Sequence, residues 1–243
     1  RAMKKELRGQ AAIVTGGSRG IGFGVAHALV SHGVHVAITG RSGPSLAQAQ
    51  QRLEAARGGK ATTIVADVRD HQAAAAAVAS AAAAFGGLDI VVNNAGTGVF
   101  ASIADMTPAQ WSEVIETNLT GVFNVTRAAL PELRRRGGGY IINISSLAGK
   151  NAFVGAGAYC ASKAGLNAFG EVLMQEVRHD NIRVTTIAPG SVATGFTGGD
   201  ETSGADWKVG SADLGDIVVD LLQMDTRSLS SYIELRPSDR KST

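Results

Sequence analysis

The sequence predicts an α/β fold in which one doubly wound parallel β-sheet carries helices on both faces. Short apolar runs alternate with longer helical patterns along the 243 residues, as repeated β-α units require. Apolar residues make up 44% of the chain and charged residues 18%, which is sufficient for one large core. A glycine cluster directly follows the first apolar run, where a strand gives way to a helix. We expect a single domain over residues 1–243, with a polar, flexible tail over residues 237–243.

The individual elements follow from periodicity. Strands are predicted from apolar runs at residues 11–15, 34–39, 61–66, 88–92, 140–144, 182–187 and 232–235. Helices are predicted after the glycine cluster up to Gly33, and at residues 45–57, 70–85, 108–136, 158–179 and 213–224. Pro131 is expected to bend or restart the long helix near its end. Strands that alternate with helices in this way imply right-handed crossovers and a parallel sheet.

Charge, cysteine content and hydrophobicity indicate where the protein acts and which partners it does not bind. The net charge is +2, with acidic and basic residues interspersed. The sequence shows no basic face interleaved with aromatic residues, which would be the sign of a nucleic-acid-binding protein. The single cysteine, Cys160, fits a reducing compartment. No stretch approaches the ~20 apolar residues of a membrane span, and no secretory signal is present near the start. We therefore expect a cytoplasmic protein with no membrane or nucleic-acid partner, and we assign no metal site.

The first predicted turn has a glycine spacing suited to phosphate. It reads Thr-Gly-Gly-Ser-Arg-Gly-Ile-Gly over residues 15–22, before the first helical pattern. Glycines permit a tight turn and let backbone N–H groups approach a pyrophosphate at a helix N-terminus. A glycine cluster alone is more often a plain turn, but this position favours a nucleotide. We predict a dinucleotide site that includes Gly16, Ser18, Arg19, Gly20, Ile21 and Gly22.

The end of the second predicted strand indicates which dinucleotide binds. An acidic residue there would bond the ribose 2′-hydroxyl of NAD and repel a 2′-phosphate. The sequence has no acid at this point and continues with Arg41, while Arg19 lies in the glycine-rich turn. Two guanidinium groups on one phosphate would each contribute about 1.5–3 kcal/mol through charge-assisted hydrogen bonds. This favours NADP(H); the alternative is that both arginines are solvated loop residues.

A tyrosine and a lysine lie four residues apart near the start of the helix at 158–179. On a helix Tyr159 and Lys163 share one face, and the preceding strand ends at Ser145 and Ser146. A phenol has a pKa of about 10, and a neighbouring ammonium favours the phenolate and so lowers that pKa. Ser146 would hold a carbonyl or hydroxyl oxygen opposite Tyr159, while Ser145 faces away because strand neighbours alternate. The alternative is a half-buried tyrosine beside a solvated lysine.

These motifs together resemble the short-chain dehydrogenase/reductase family. The Ser-Tyr-Lys set and the Thr-Gly-x-x-x-Gly-x-Gly turn are joined by Asn-Asn-Ala-Gly at 93–96 and Pro-Gly-x-Val-x-Thr at 189–194. The motifs occur in the family's order, and the resemblance extends from about residue 7 to 235. It implies a single Rossmann-type NADP(H)-binding domain that transfers hydride between a nicotinamide and a carbonyl or secondary alcohol.

The resemblance also implies the role of each catalytic candidate. Ser146 would hold the substrate oxygen, and Tyr159 would exchange the proton. Lys163 would lower the pKa of Tyr159 and hold the nicotinamide ribose. Asn118 would distort its helix, hold a water and link that water to Lys163. A solvent-facing asparagine is the alternative for Asn118.

The family pattern places further residues at the cofactor. Asp67 would hold the adenine edge, the Asn-Asn-Ala-Gly motif would chiefly support the cleft through side-chain hydrogen bonds to backbone, and Ile187, Val192 and Thr194 would contact the nicotinamide. For Asp67 the alternative is a turn cap. Beyond the glycine-rich turn and Arg41, the predicted cofactor contacts are Asp67, Val68, Asn94, Ala95, Gly96, Tyr159, Lys163, Pro189, Gly190, Val192 and Thr194.

Residues 195–210 depart most from the family pattern. They are rich in Gly, Asp and Ser, and the family's substrate lid is commonly helical and longer. An abbreviated lid would mean an open pocket, a disordered loop or a lid from another subunit. The substrate therefore remains open between a 3-oxoacyl thioester, carried by acyl-carrier protein or CoA, and another small ketone or alcohol.

The binding partners of the protein, and whether it is an enzyme at all, also have alternatives. The chain resembles the 3-oxoacyl-(acyl-carrier-protein) reductase-like branch, and an acidic carrier would require basic residues near the cleft. Arg134, Arg135, Arg136 and Lys150 are the candidates; the alternative for the arginines is a solvated helix end. A non-catalytic NADP(H)-binding sensor or scaffold is the second class considered. Family analogy implies a homotetramer or homodimer formed through the two long helices.

Overall fold

A computed structural model describes residues 5–194, 196 and 207–238 of the chain. The strands in these residues are β1 Ala11–Thr15, β2 His35–Gly40, β3 Ala61–Val65, β4 Ile90–Asn93, β5 Gly139–Ile144, β6 Ile182–Pro189 and β7 Tyr232–Leu235. They form one sheet in the order β3-β2-β1-β4-β5-β6-β7, and every neighbouring pair is parallel. The predicted doubly wound parallel sheet is confirmed.

Helices cover both faces of this sheet. They are α1 Gly20–Ser31, α2 Gly43–Glu54, α3 His71–Phe85, α4 Pro108–Ile115, α5 Gly121–Arg135, α6 Gly157–Val177 and α7 Ser211–Gln223. Apolar residues of α1, α2 and α7 pack in a core on one face, and those of α3, α5 and α6 pack in a second core on the other. Along β1, Ala12 and Val14 enter the first core while Ile13 enters the second, because strand side chains alternate.

The long helix predicted at 108–136 is interrupted, but not at Pro131. A π-helical segment, Glu116–Thr120, separates α4 from α5, and α5 continues through Pro131 to Arg135. The expectation that Pro131 bends or restarts the helix was therefore wrong. Proline removes only one hydrogen bond, and here it lies near the helix end. The interruption falls instead where Asn118 bonds to the neighbouring loop.

The strand order creates a crevice at one edge of the sheet. From β1 the chain adds β2 and β3 on one side and then crosses to β4 on the other. Ligands of open α/β sheets bind at the carboxyl ends of the strands beside such a reversal. The predicted motifs follow β1, β2, β4, β5 and β6, so the topology brings them to this edge.

Two expectations fall largely outside the described residues. Of the predicted lid at 195–210, the structure describes Phe196 and residues 207–210, and of the predicted tail at 237–243 it describes Pro237 and Ser238. Among the described helices, none combines the length and the apolar character needed to cross a bilayer.

Candidate active site

A cleft of about 1260 Å³ opens at the carboxyl ends of the strands. It brings together most of the residues singled out from the sequence: Gly16, Ser18, Arg19, Gly20, Ile21, Arg41, Asp67, Val68, Asn94, Ala95, Gly96, Ser146, Tyr159, Lys163, Pro189, Gly190, Val192 and Thr194. Gly22 and Asn118 do not line it and act from behind its wall. Ile187 was expected at the nicotinamide, but it is fully buried in the core and does not line the cleft.

Tyr159 is mostly buried at the centre of the cleft. Burial raises the pKa of its phenol, and the neighbouring Ser146 hydroxyl acts in the opposite direction. The sequence-based expectation was a pKa lowered by Lys163. The structure differs because the lysine amine lies 5.8 Å from the centroid of the phenol ring and is directed elsewhere. Tyr159 is therefore held as a neutral phenol that can donate a proton.

Lys163 is buried beneath the end of β5. Its Nζ donates a hydrogen bond to the carbonyl oxygen of Ile144 at 2.9 Å. Burial lowers the pKa of the Lys163 ammonium to about 8, because few groups around it replace the lost water. The amine is thus fixed at the strand end that carries Ser145 and Ser146. Ser145 faces α6, as expected, and donates to Asn167 Oδ1 at 2.6 Å.

Asn118 is fully buried in the π-helical segment and its side chain is engaged on two sides. Its Nδ2 donates to the Thr97 carbonyl at 2.9 Å and to Ser162 Oγ at 3.0 Å, and its Oδ1 accepts from the Thr97 N–H at 2.8 Å. An ideal Cβ at Gly96 would lie 3.3 Å from Asn118 Oδ1 and 3.9 Å from Lys163 Nζ. Asn118 therefore ties the loop after β4 to the helix of Tyr159 and Lys163, and it does not face solvent.

The loop after β4 is held against the glycine-rich turn. Asn94 Nδ2 donates to the carbonyl oxygens of Thr15 at 2.9 Å and Gly16 at 3.1 Å. The Asn94 N–H in turn donates to Thr15 Oγ1 at 3.0 Å. These are the side-chain bonds to backbone expected of the Asn-Asn-Ala-Gly motif. They fix the turn that would face a pyrophosphate.

Gly22 permits this close contact. A Cβ built on Gly22 would lie 2.3 Å from the Gly16 carbonyl oxygen and 2.4 Å from Asn94 Nδ2, both far inside van der Waals contact. Gly16 itself has φ +64°, a conformation that favours glycine. The predicted glycine spacing is thus explained by packing at Gly22 and by backbone conformation at Gly16.

A Gly22→Ala substitution is expected to lower the free energy of unfolding by about 1–3 kcal/mol, because the turn must move to admit the methyl group. Chemical denaturation of both proteins measures the difference. Gly43→Ala is the matched control: a Cβ there would meet only Val65 Cγ2 at 3.7 Å, and the residue lies in the first turn of α2. Equal stability of the Gly22 variant and this control would contradict the packing argument.

Two arginines stand at the far end of the cleft, and the charge of Arg41 helps to lower the pKa of the Asp67 carboxyl. Arg19 precedes α1 and Arg41 follows β2; both are exposed and line the cleft. Asp67 lines the same cleft and also caps the turn after β3, which was the alternative considered for it, since its Oδ1 accepts a hydrogen bond from the Arg69 N–H at 3.0 Å. Its carboxylate is held by Arg69, whose Nε lies 3.0 Å from both oxygens and whose Nη2 lies 2.6 Å from Oδ2. Arg69 accordingly lowers the pKa of Asp67.

Sequence reasoning missed several residues of the cleft. Arg69 could have been found from the short Asp-x-Arg spacing, because this spacing lets the guanidinium group of the arginine bind both oxygens of the carboxylate. Phe100 and Phe196 contact Tyr159 and Phe153 stacks on Phe100, and no periodicity marks positions on three separate loops. The ends of the predicted lid are joined by a bridge, in which the Ala193 N–H donates to the Val209 carbonyl at 2.9 Å.

The basic residues proposed for an acidic carrier are already paired. Arg134 binds Asp180 at 2.7 Å, Arg136 binds Asp89 at 2.9 Å, and Lys150 binds Glu234 at 3.0 Å. Arg135 also pairs, with Glu132. None of the four basic residues lines the cleft. The three arginines are exposed at the end of α5, as the alternative of a solvated helix end expects.

Known proteins resemble this chain in both sequence and architecture. Residues 10–203 match the family model for short chain dehydrogenases. The chain is 40% identical over 197 residues to 3-oxoacyl-(acyl-carrier-protein) reductase of Chlamydia muridarum, covering 81% of this chain and 79% of that one. It is 40% identical over 187 residues to acetoacetyl-CoA reductase of Shinella zoogloeoides, covering 75% and 74%. The structure of a metagenomic short-chain oxidoreductase in complex with NADP matches at a TM-score of 0.85 and 36% identity, covering 97% and 100%.

Proposed function

The chain belongs to the short-chain dehydrogenase/reductase family, and from that premise we propose that it is an NADP(H)-dependent reductase of a carbonyl substrate. The observation that carries the proposal is the arrangement of Ser146, Tyr159 and Lys163 in one cleft. Tyr159 and Ser146 interact, Lys163 is anchored beside them, and Asn118 braces the loop across from them. Members of this family are oxidoreductases that act on a carbonyl or an alcohol.

The cleft fits a dinucleotide phosphate on its own geometry. The turn after β1 leaves no room for a side chain at Gly22 and ends at the N-terminus of α1, where backbone N–H groups attract anions. Arg19 and Arg41 add positive charge at the same end. Bound NADPH would supply the hydride. Gly16, Ser18 and Gly20 would face its pyrophosphate, and Pro189, Gly190, Val192 and Thr194 would lie at its nicotinamide end.

Proton transfer is assigned to the residues at the centre of the cleft. Ser146 holds the substrate oxygen by donating a hydrogen bond. Tyr159 donates its phenolic proton to that oxygen as the carbonyl is reduced. Because burial raises the pKa of Tyr159, the phenol keeps its proton at neutral pH and gives it up only to the strongly basic alkoxide.

Lys163 and Asn118 are assigned to positioning. Lys163 would hold the nicotinamide ribose and return a proton towards Tyr159. Asn118 would complete a path to water through the π-helical segment, since its side chain already links the loop after β4 to α6. Asp67 would face the adenine edge in a fixed orientation, because Arg69 clamps both of its oxygens.

Cofactor preference is a separate prediction. Replacing Arg41 with Ala is expected to raise the KM for NADPH by about tenfold or more while leaving the KM for NADH nearly unchanged, because one charge-assisted bond to a 2′-phosphate is lost. Steady-state kinetics with both cofactors measure the change in KM for NADPH and for NADH separately. Arg8→Ala, an exposed arginine paired with Glu6 outside the cleft, is the control. A parallel rise for both cofactors would show that Arg41 does not read the 2′-phosphate.

The substrate proposal begins from the relatives. Two of them are named for reduction of 3-oxoacyl thioesters, which supports a 3-oxo compound as substrate. The pairing of all four basic candidates gives no support to a carrier-protein surface at those residues. A homodimer or homotetramer and a cytoplasmic location stay predictions. Exposed Trp111, Phe123 and Val172 on α4, α5 and α6 support an assembly through these helices.

A further inference from the structure

Three phenylalanines form one wall of the cleft beside Tyr159, and we call Phe100, Phe153 and Phe196 the aromatic wall. The ring centroids of Phe100 and Phe196 lie 5.9 and 5.7 Å from that of Tyr159. Phe153 stacks on Phe100 with a centroid distance of 6.3 Å and an interplanar angle of 23°. All three line the cleft and remain 41–54% exposed, so their free faces are turned towards its open space.

The backbone holds the aromatic wall in place. The Ala101 N–H donates to the Gly155 carbonyl at 2.9 Å, and Ala101 forms a parallel bridge with Ala156. These bonds join the loop of Phe100 to the loop of Phe153. On the other side, a Cβ at Gly98 would lie 3.0 Å from a ring atom of Phe196 and 3.1 Å from one of Phe100, so a side chain there would require both rings to shift by a few tenths of an ångström. The loops of Phe100 and Phe153 are therefore fixed relative to each other.

The charges around this region do not favour an ionic substrate tail. Among the described residues that line the cleft, the single carboxylate is Asp67, which Arg69 holds. Away from Arg19 and Arg41, two further basic residues line the cleft outside the catalytic centre. Half-buried Lys208 lies 5.6 Å from the Trp207 ring centroid, and exposed Arg236 binds Glu234 at 2.8 Å. The wall next to Tyr159 is thus apolar and planar.

From this geometry we propose that the substrate carries an aryl group next to its reacting carbonyl, and that the aromatic wall binds this group. The inference rests on the proposed function, because it places the carbonyl oxygen at Tyr159 and Ser146. Phe100 and Phe196 both contact the ring of Tyr159, so a substituent of a carbonyl bound at the Tyr159 hydroxyl is expected to meet the aromatic wall. Aromatic rings bind planar apolar groups by offset or edge-to-face contact, whereas a saturated ring of equal size gains burial only.

The test compares ethyl benzoylacetate with ethyl 3-cyclohexyl-3-oxopropanoate, which carry a phenyl and a cyclohexyl ring, respectively, on the reacting carbonyl and are otherwise the same. For each ester, kcat/KM with NADPH is measured for the wild-type protein, Phe100→Leu and Phe153→Leu. The aryl-to-cyclohexyl ratio of kcat/KM is expected to fall about fivefold in each variant, the amount expected for one lost aromatic pair. Comparing ratios between proteins cancels the intrinsic reactivity of the two esters.

Phe23→Leu is the matched control, since Phe23 packs under Arg52 outside the cleft and its loss should leave the ratio unchanged. A ratio that stays constant in Phe100→Leu and Phe153→Leu, or that falls equally in Phe23→Leu, would overturn the proposal while leaving carbonyl reduction intact. Loss of stability in a variant is checked by thermal unfolding, and Phe153→Leu serves where Phe100→Leu does not fold.

Calorimetry separates failure of the inference from failure of the proposed function. Both esters are titrated into protein loaded with NADP⁺, with which a ketone cannot be reduced. The aryl ester is expected to bind about fivefold more tightly than the cyclohexyl ester, and the difference should disappear in Phe100→Leu. If no carbonyl compound is turned over in the kinetic assay, the proposed function is overturned. If the two esters bind equally tightly, the aryl assignment is overturned.

Discussion

Replacing Tyr159 with phenylalanine is expected to lower kcat for carbonyl reduction by about three orders of magnitude, with little change in stability or in NADPH affinity. The hydroxyl is the sole proton donor assigned at the reacting oxygen, and general acid catalysis contributes about 10²–10⁴-fold. The ring that packs against Phe100 and Phe196 is retained in the variant. Stopped-flow measurement of single-turnover NADPH oxidation reads the chemical step directly.

Tyr140 provides the control for this substitution. Its hydroxyl lies 2.7 Å from Thr185 Oγ1 in the core, away from the cleft. Tyr140→Phe is expected to cost about 1 kcal/mol of stability through the lost hydrogen bond and to leave kcat unchanged. The two variants should therefore show opposite patterns. A Tyr159→Phe protein that keeps wild-type turnover would show that the proton comes from elsewhere.

Replacing Lys163 with methionine is expected to stabilise the cofactor-free protein at pH 7 by about 2 kcal/mol while lowering kcat by about 10²-fold or more. A lysine pKa that falls from 10.5 to about 8 destabilises the fold by about 3 kcal/mol below pH 8. Loss of the bond to the Ile144 carbonyl offsets about 1 kcal/mol of the gain. For a chain of this length, about 2 kcal/mol raises Tm by roughly 4–8 °C.

The pH dependence of this effect has a defined sign. Between about pH 8 and pH 10.5 the unfolded chain binds the Lys163 proton and the folded chain does not, so the wild-type protein gains stability as pH rises. The advantage of Lys163→Met should consequently shrink by about half near pH 9 and almost disappear at about pH 9.5. Lys60→Met, at an exposed lysine, is the control and should change neither Tm nor kcat. A less stable Lys163→Met protein at pH 7 would contradict the burial argument.

The large-scale fold could be predicted because it depends on local patterns. The apolar runs of β1, β4 and β5 are continuous because both sheet faces are covered. The glycine-rich turn and the Tyr-Lys pair were recognisable since each depends on spacing within one segment. Their convergence in a single cleft then followed from the parallel strand order.

The remaining features depend on contacts between distant segments. The π-helical segment lies where Asn118 bonds Thr97, 21 residues away. Helix propensity does not encode that partner, so the distortion at Asn118 was expected from the family resemblance alone. The aromatic wall requires three loops to meet. The direction of the pKa of Tyr159 was predicted incorrectly because burial of the phenol, rather than the lysine, is the larger influence. Spacing placed the two residues on one helix face but did not reveal that Lys163 bonds to β5.

The proposed NADPH-dependent carbonyl reduction is tested most directly by following NADPH oxidation and alcohol formation together. The substrates are an acetoacetyl thioester, ethyl benzoylacetate and a panel of small ketones, diketones and quinones, with NADH assayed in parallel. We predict one alcohol formed per NADPH consumed, and a kcat/KM with NADPH at least about tenfold above that with NADH. Binding of NADPH without turnover of any carbonyl would contradict the account and point to an NADP(H)-binding sensor.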